Sequence, residues 1–369
     1  MAGARPNFMK VVPILHELDR RGLERCFVHT GQHYDVKMSA SLLEDLRAPE
    51  PDVLLDVGSA THAVQTARVM ERFEPVLLEH RPRWVVVVGD VNSTLGCALV
   101  ASKLRHEHGC RIAHVEAGLR SGDWTMPEEV NRVLTDRLSD LLLTPSEDVG
   151  ESLAAEGLAS TATVFVGNVM IDSLYAVLEQ ARASAVPRRI GLDAGRYVLA
   201  TLHRPSNVDD PRQLAVLVDA LARIATTLPV LFPMHPRTRA RIASIGLGGA
   251  LERVHIVDPL GYSEMVGVMD GAAACVTDSG GVQEETTVLG VPCLTVRPQT
   301  ERPITVTVGT NRMATWPPTA ESIEAEVLAA VARPRRAVGS MAPRGWDGSA
   351  ARRIVDALLA FDSPPPAPV

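Results

Sequence analysis

The chain has 369 residues, 46% of them hydrophobic and 22% charged, with a net charge of −7. This is the length of two domains and the balance of a chain able to bury real cores, which excludes a disordered tail, a collagen-like fibre and a disulfide-stapled miniprotein. The acidic balance leaves no basic surplus for nucleic acid, and no apolar run reaches the roughly 18 residues of a membrane span.

Gly3–Pro6 reads as a phosphate-facing turn, yet in a doubly wound domain a strand precedes such a turn. The expectation is a misassigned start or a lost first strand. Arg25–Thr30 then reads as a buried strand, His62–His80 as a helix, Trp84–Val88 as a strand and Leu95–His106 as a helix. Strand Ile112–Val115, helix Pro127–Ser139 and strands Leu141–Thr144 and Thr163–Val166 follow. Periodicity lapses over Gln180–Gly195. It resumes with strand Tyr197–Thr201, helix Pro211–Thr227 and strands Val230–Phe232, Val254–Val257, Ala273–Thr277 and Cys293–Val296. The runs are near-continuous in apolar residues rather than alternating, which suits parallel strands covered on both faces. The pattern predicts an α/β chain of doubly wound parallel sheets. The domains are set at 1–175 and 176–347, with a helix at 348–361 packing back on the first and a disordered tail at 362–369. Cys26, Cys97, Cys110, Cys275 and Cys293 contain no C-x-x-C pair, so neither structural zinc nor a disulfide framework is expected, and the chain reads as cytoplasmic.

Ligands of open parallel sheets bind at the carboxyl ends of the strands. Asp90 stands there after Trp84–Val88, either for chemistry or as a helix cap, a duty that Asn92 or Ser93 serves equally. Glu116 ends the next strand, and a carboxylate so placed is costly unless used or paired, here with Arg120 or Arg132. Pro127 opens a helix whose first turn holds Glu128 and Glu129, a placement that also suits the helix dipole; Glu128 and Arg132 share a face at i, i+4. Three carboxylates able to converge resemble acid–base machinery. In the second half, Asp278-Ser279-Gly280-Gly281 joins a strand to a helix, a turn that presents backbone N–H groups to a phosphate, with Glu285 one turn on for ribose hydroxyls. His203, Arg204 and His235 add donors at neighbouring strand ends. The chain has no G-x-G-x-x-G after a strand, no P-loop and no H-E-x-x-H, so neither a nicotinamide cofactor nor a metal is expected. These residues reach a two-domain α/β enzyme with a phosphate-bearing ligand, and no substrate.

Longer blocks carry a resemblance. GARPNFMK (Gly3–Lys10), TGQHYD (Thr30–Asp35), GDVNST (Gly89–Thr94), HVEAGLRSGD (His114–Asp123), PEEVNR (Pro127–Arg132), HRPSNVDD (His203–Asp210), TDSGGVQEE (Thr277–Glu285) and TERP (Thr300–Pro303) are similar to the non-hydrolysing UDP-N-acetylglucosamine 2-epimerases. The resemblance implies a GT-B fold, two Rossmann-like domains facing a cleft, and interconversion of UDP-GlcNAc and UDP-ManNAc without metal or cofactor. UDP leaves C1 as the C2 proton is removed, giving 2-acetamidoglucal, and adds back as C2 is reprotonated on the other face. It implies Asp90, Glu116 and Glu128 as catalytic carboxylates and His203 beside the diphosphate. Arg5, Lys10, Arg132, His235, Ser279, Gly280, Gly281, Glu285 and Arg302 are the implied substrate contacts. It also implies an allosteric site at Gln32, His33 and Arg68, and a homodimer. A hydrolysing epimerase, an epimerase of UDP-diacetamido-uronic acids and a GT-B glycosyltransferase remain as alternatives.

Overall fold

The computed structural model describes residues 1–3, 5–32 and 42–362. The chain forms two compact units, Met1–Ser173 together with the chain from Arg344 on, and Leu174–Pro343. His33 and the tail beyond Asp362 lie outside the described residues, and of Arg5 only the backbone is described.

In the first unit, α1 (Arg5–Arg20) precedes β1 (Val28–His29), β2 (Val53–Leu54), α2 (His62–His80), β3 (Trp84–Val88), α3 (Asn92–His108) and β4 (Arg111–Val115). Then come α4 (Pro127–Leu138), β5 (Leu141–Thr144), α5 (Val149–Ala155) and β6 (Ala162–Phe165). Strands β3-β4-β5-β6 form one parallel sheet, while β1 and β2 pair in parallel beside it. Between β1 and β3 run the first residues of the chain. Ala2 bridges His29 in parallel, and the Met1 ammonium donates to the Val86 carbonyl at 3.1 Å. A cavity of about 730 Å³ opens next to Met1, lined by apolar side chains that include Leu15, Phe73, Trp84 and Leu358. The valines of β3 explain why the sheet is buried. Val85 and Val87 pack with Val69, Phe73 and Leu77 of α2 and with Cys97, Ala98 and Ala101 of α3. Burial pushes the Cys97 thiol up to about 12, so it behaves as an apolar side chain rather than a nucleophile.

The chain passes from the first unit to the second inside α6 (Val169–Ala183), and the segment where periodicity lapses holds only the end of that helix and a single turn at Val186–Arg189. The second unit continues with β7 (Val198–Thr201), α7 (Pro211–Ile224), β8 (Val230–Pro233), α8 (Pro236–Ser244) and β9 (Val254–Val257). Next are α9 (Tyr262–Asp270), β10 (Ala274–Thr277), α10 (Gly280–Leu289), β11 (Cys293–Thr295), β12 (Asn311–Met313) and α11 (Ala320–Val331). All six strands are parallel in the order β12-β11-β10-β7-β8-β9, the doubly wound order, which reverses between β7 and β10. Leu214, Leu217, Val218 and Leu221 recur at helical spacing along α7 and bury one face against Val198, Val230 and Phe232 of the sheet.

The last helix, α12 (Ala350–Asp362), belongs to the first unit and packs along α1, where Arg21 meets Asp356 at 2.7 Å. Its start is fixed by Asp172 of α6, whose two carboxylate oxygens accept the N–H groups of Ala350 (3.1 Å) and Ala351 (2.8 Å). Asp172→Ala removes this cap and is expected to lower unfolding stability by about 1–2 kcal/mol in urea titrations. Burial nevertheless pushes Asp172 up to about 6 from an ordinary 3.8. A folded-state value above the unfolded one means that its contribution is fullest below about pH 4 and declines as pH rises through about 6. Asp172→Asn should therefore flatten the stability profile over that window.

Candidate active site

In the first unit the carboxyl ends of β3 and β4 bring two of the expected carboxylates onto one edge of the sheet. The chain leaves β3 through Gly89, whose φ of +64° favours glycine; an added Cβ would also sit 3.1 Å from Lys10 Nζ. Asp90 follows. It does not cap α3, whose N-cap is Val91 without a side-chain bond. Asn92 and Ser93 do not cap it either, because both already lie within the first turn of the helix; Asn92 donates to Gln65 Oε1 and Ser93 to Gln32 Oε1. The Asp90 carboxylate accepts from Arg132 Nε at 2.9 Å and Nη2 at 2.6 Å, and its carbonyl accepts from Asn131.

Arg132 is buried on α4. Glu128 shares its face at i, i+4, but the ion pairs of Arg132 are with Glu129 at i, i+3, 2.8 Å away, and with Asp90. Glu129 also accepts the N–H groups of Ser121 and Gly122. Burial alone would raise its carboxyl, but those amides and Arg132 hold it below the usual range. Of the two first-turn acids, then, Glu129 is a buried brace. Glu128 stays half-buried at the start of α4.

Glu116 ends β4 with φ of +71°, a left-handed backbone that costs a non-glycine residue on the order of 1–3 kcal/mol. It is buried and ion-paired. The partner is Lys10 of α1 rather than Arg120 or Arg132, since Arg120 is taken by Asp136 and Glu156 and Arg132 by Asp90 and Glu129. Helix α1 also sends Asn7 to the Val88 carbonyl at 2.9 Å, docking its first turns against the end of β3. Gln32 is buried with its side-chain oxygen on Ser93, while Arg68 lies exposed on α2 with Nη1 3.4 Å from the Val57 carbonyl.

In the second unit the residues gather at the β7/β10 reversal. Asp278, directly after β10, is fully buried and accepts the N–H of His203 (3.0 Å), the N–H of Arg204 (2.9 Å) and the Asn207 amide (3.1 Å). It also meets His203 Nδ1 at 2.9 Å, leaving the His203 side chain 55% exposed beyond it. The N-cap of α10 is Ser279, which makes no side-chain capping bond, so its hydroxyl does not occupy the first-turn amides. Gly280 has the Arg302 guanidinium so close that an added Cβ would stand 2.9 Å from Nη1; Glu284 holds that guanidinium at 2.7 Å. Glu285 is buried one turn into α10 and accepts from the Tyr262 hydroxyl at 2.9 Å. His235 is exposed and caps α8, its Nδ1 accepting the Arg237 N–H at 3.2 Å.

Residues 16–359 match the family model described as UDP-N-acetylglucosamine 2-epimerase. The chain belongs to that family. Within it, the chain is 44% identical over 314 residues to a UDP-2,3-diacetamido-2,3-dideoxy-D-glucuronate 2-epimerase of Pseudomonas aeruginosa, covering 84% of this chain and 85% of the relative. It is 40% identical over 318 residues to a UDP-N-acetylglucosamine 2-epimerase of Methanocaldococcus jannaschii, covering 84% and 86%. The crystal structure of the Methanocaldococcus jannaschii UDP-GlcNAc 2-epimerase in complex with UDP-GlcNAc and UDP aligns with a TM-score of 0.87 at 37% identity, over 97% of this chain and 98% of that one. This 2-epimerase family member is an α/β enzyme of GT-B type with two Rossmann-like units, the fold class expected from the sequence. Among its described residues no helix is long and apolar enough to cross a membrane.

Proposed function

We propose that the chain interconverts UDP-GlcNAc and UDP-ManNAc by elimination and re-addition of UDP. The observation that carries this reading is the pair of strand-end carboxylates, Asp90 and Glu116, each fixed by its own buried cation, Arg132 and Lys10. Removing the C2 proton as the C1–O bond breaks sends the electron pair out with UDP and leaves 2-acetamidoglucal. The reverse addition takes a proton at C2 from the opposite face. Such a path needs acids and bases on both faces of C2, and Asp90, Glu116 and Glu128 are the groups assigned to it. Arg5, Lys10 and Arg132 are assigned to the charge on departing UDP. His203, Ser279, Gly280, Gly281 and Arg302 hold the diphosphate, with Glu285 on the ribose and His235 beside the nucleotide.

A second reading has UDP-2,3-diacetamido-uronic acid as the substrate, and the 44% identity to an enzyme of that name favours it. One experiment addresses both: each UDP-sugar is incubated with the enzyme in deuterium oxide and followed by NMR. The epimeric UDP-sugar should form with solvent deuterium at C2. Product that keeps its original hydrogen rules out the proposed path, and free N-acetylmannosamine with UDP identifies a hydrolysing enzyme instead. An obligatory acceptor identifies a glycosyltransferase.

A further inference from the structure

His114 is polar in a strand whose neighbours Ile112, Ala113 and Val115 are all buried, and it is itself fully buried. Both of its ring nitrogens face acceptors. Nδ1 lies 2.6 Å from Asp136 Oδ1 and Nε2 lies 2.8 Å from the Gly89 carbonyl oxygen. A neutral imidazole donates from one nitrogen only, so a ring that satisfies both contacts donates from both, with the Asp136 carboxylate balancing its charge. Asp136, fully buried on α4, also accepts the Gly118 N–H at 3.0 Å and the Arg120 guanidinium at 2.8 Å. Burial alone would push this carboxyl up, but His114 and Arg120 outweigh that effect and hold it below the usual range.

The bridge joins the three segments that carry the site. Gly89 immediately precedes Asp90, His114 and Gly118 flank the left-handed Glu116, and Asp136 stands one helical turn from Arg132 on the helix whose first turn carries Glu128. We propose that His114 and Asp136 are positioning residues of the epimerase site, a buried hydrogen-bonded pair that fixes the Gly89–Asp90 turn against the Glu116–Gly118 turn. Neither side chain takes part in the chemistry. The bridge keeps two carboxylates from different strands in register, and holds Glu116 in a backbone conformation it does not adopt by preference. The kinetic half of this inference rests on the reaction proposed above; the structural half does not.

The structural half is tested on the whole wild-type chain, without substrate, by nitrogen-15 imidazole spectra near neutral pH, with His114→Gln to assign the ring. Protons on both His114 nitrogens support the bridge. A bare nitrogen overturns it, whatever the reaction proves to be. The kinetic half uses His114→Gln and Asp136→Asn that retain the wild-type circular dichroism. In each, kcat should fall roughly 10- to 100-fold while KM stays within about threefold, the pattern of misplaced reacting groups rather than lost binding. Folded variants with kcat within about threefold of wild type overturn the positioning role. Wild type that turns over neither UDP-sugar overturns the assigned reaction instead.

Discussion

Asp90→Asn should lower turnover roughly 10²- to 10⁴-fold, the range for removing a proton-transfer group. The substitution is nearly isosteric and leaves one oxygen for Arg132, and Arg132 remains held by Glu129 at 2.8 Å. The local structure therefore has reason to survive, and the thermal midpoint and UDP affinity should change little. Asp90 is 26% exposed at its side chain, whereas its cation is 4% exposed. A buried guanidinium that holds a partly exposed carboxylate orients the acid where a ligand can reach it. Progress curves followed by NMR with the preferred UDP-sugar give the comparison, alongside melting curves. A loss smaller than about threefold in a folded variant would leave Asp90 with no duty beyond anchoring Arg132, and the proton-transfer assignment would fall.

The central strands were legible because burial leaves a nearly continuous apolar run, and Trp84–Val88 and Leu141–Thr144 fold over the residues so expected; Val254–Val257 does so too, although its His255 is exposed. Strands without such a run were not. Val53–Leu54 is two residues long, and Asn311–Met313 is polar in composition, held at the sheet edge by pairing with β11 and by the buried Asn311 amide, which donates to Gln283 and Thr305. Strand ends likewise pointed to Asp90 and Glu116, since a carboxylate at that position follows from the chain order alone. What helix spacing and sequence proximity could not provide is a partner from another element. Lys10 and Glu116 are 106 residues apart, and Arg132 reaches 42 residues back to Asp90 rather than to the neighbour its helix suggests. The same holds for His114: a histidine among the buried apolar residues Ile112, Ala113 and Val115 has to find partners, and the aspartate that meets it lies in the next helix.

Asp278→Ala should be the most damaging change in the second unit. The DSGG turn reads from sequence as a phosphate cradle, but its first residue faces inward and gathers two backbone N–H groups, the Asn207 amide and His203 Nδ1. Removing the carboxylate strands the buried Asn207 amide and the two part-buried N–H groups, while the exposed His203 ring can turn to solvent, a loss of about 3–5 kcal/mol in unfolding stability. It also frees the segment carrying His203 and Arg204, so UDP affinity should drop with it, as calorimetric titration of the folded variant at low temperature would show. The pH dependence provides the sharper test. Burial by itself would raise the Asp278 carboxyl, but His203, the Arg204 amide and Asn207 hold it below its ordinary 3.8. A depressed value means that the stabilisation is complete above about pH 4 and is lost as pH falls through the folded-state value. Wild type should therefore lose stability in acid toward the level of Asp278→Ala, and the gap between the two should narrow steadily below about pH 4. A gap of constant size down to the acid limit would mean that the side chain acts through its volume, and that its charge does not hold the His203 turn in place.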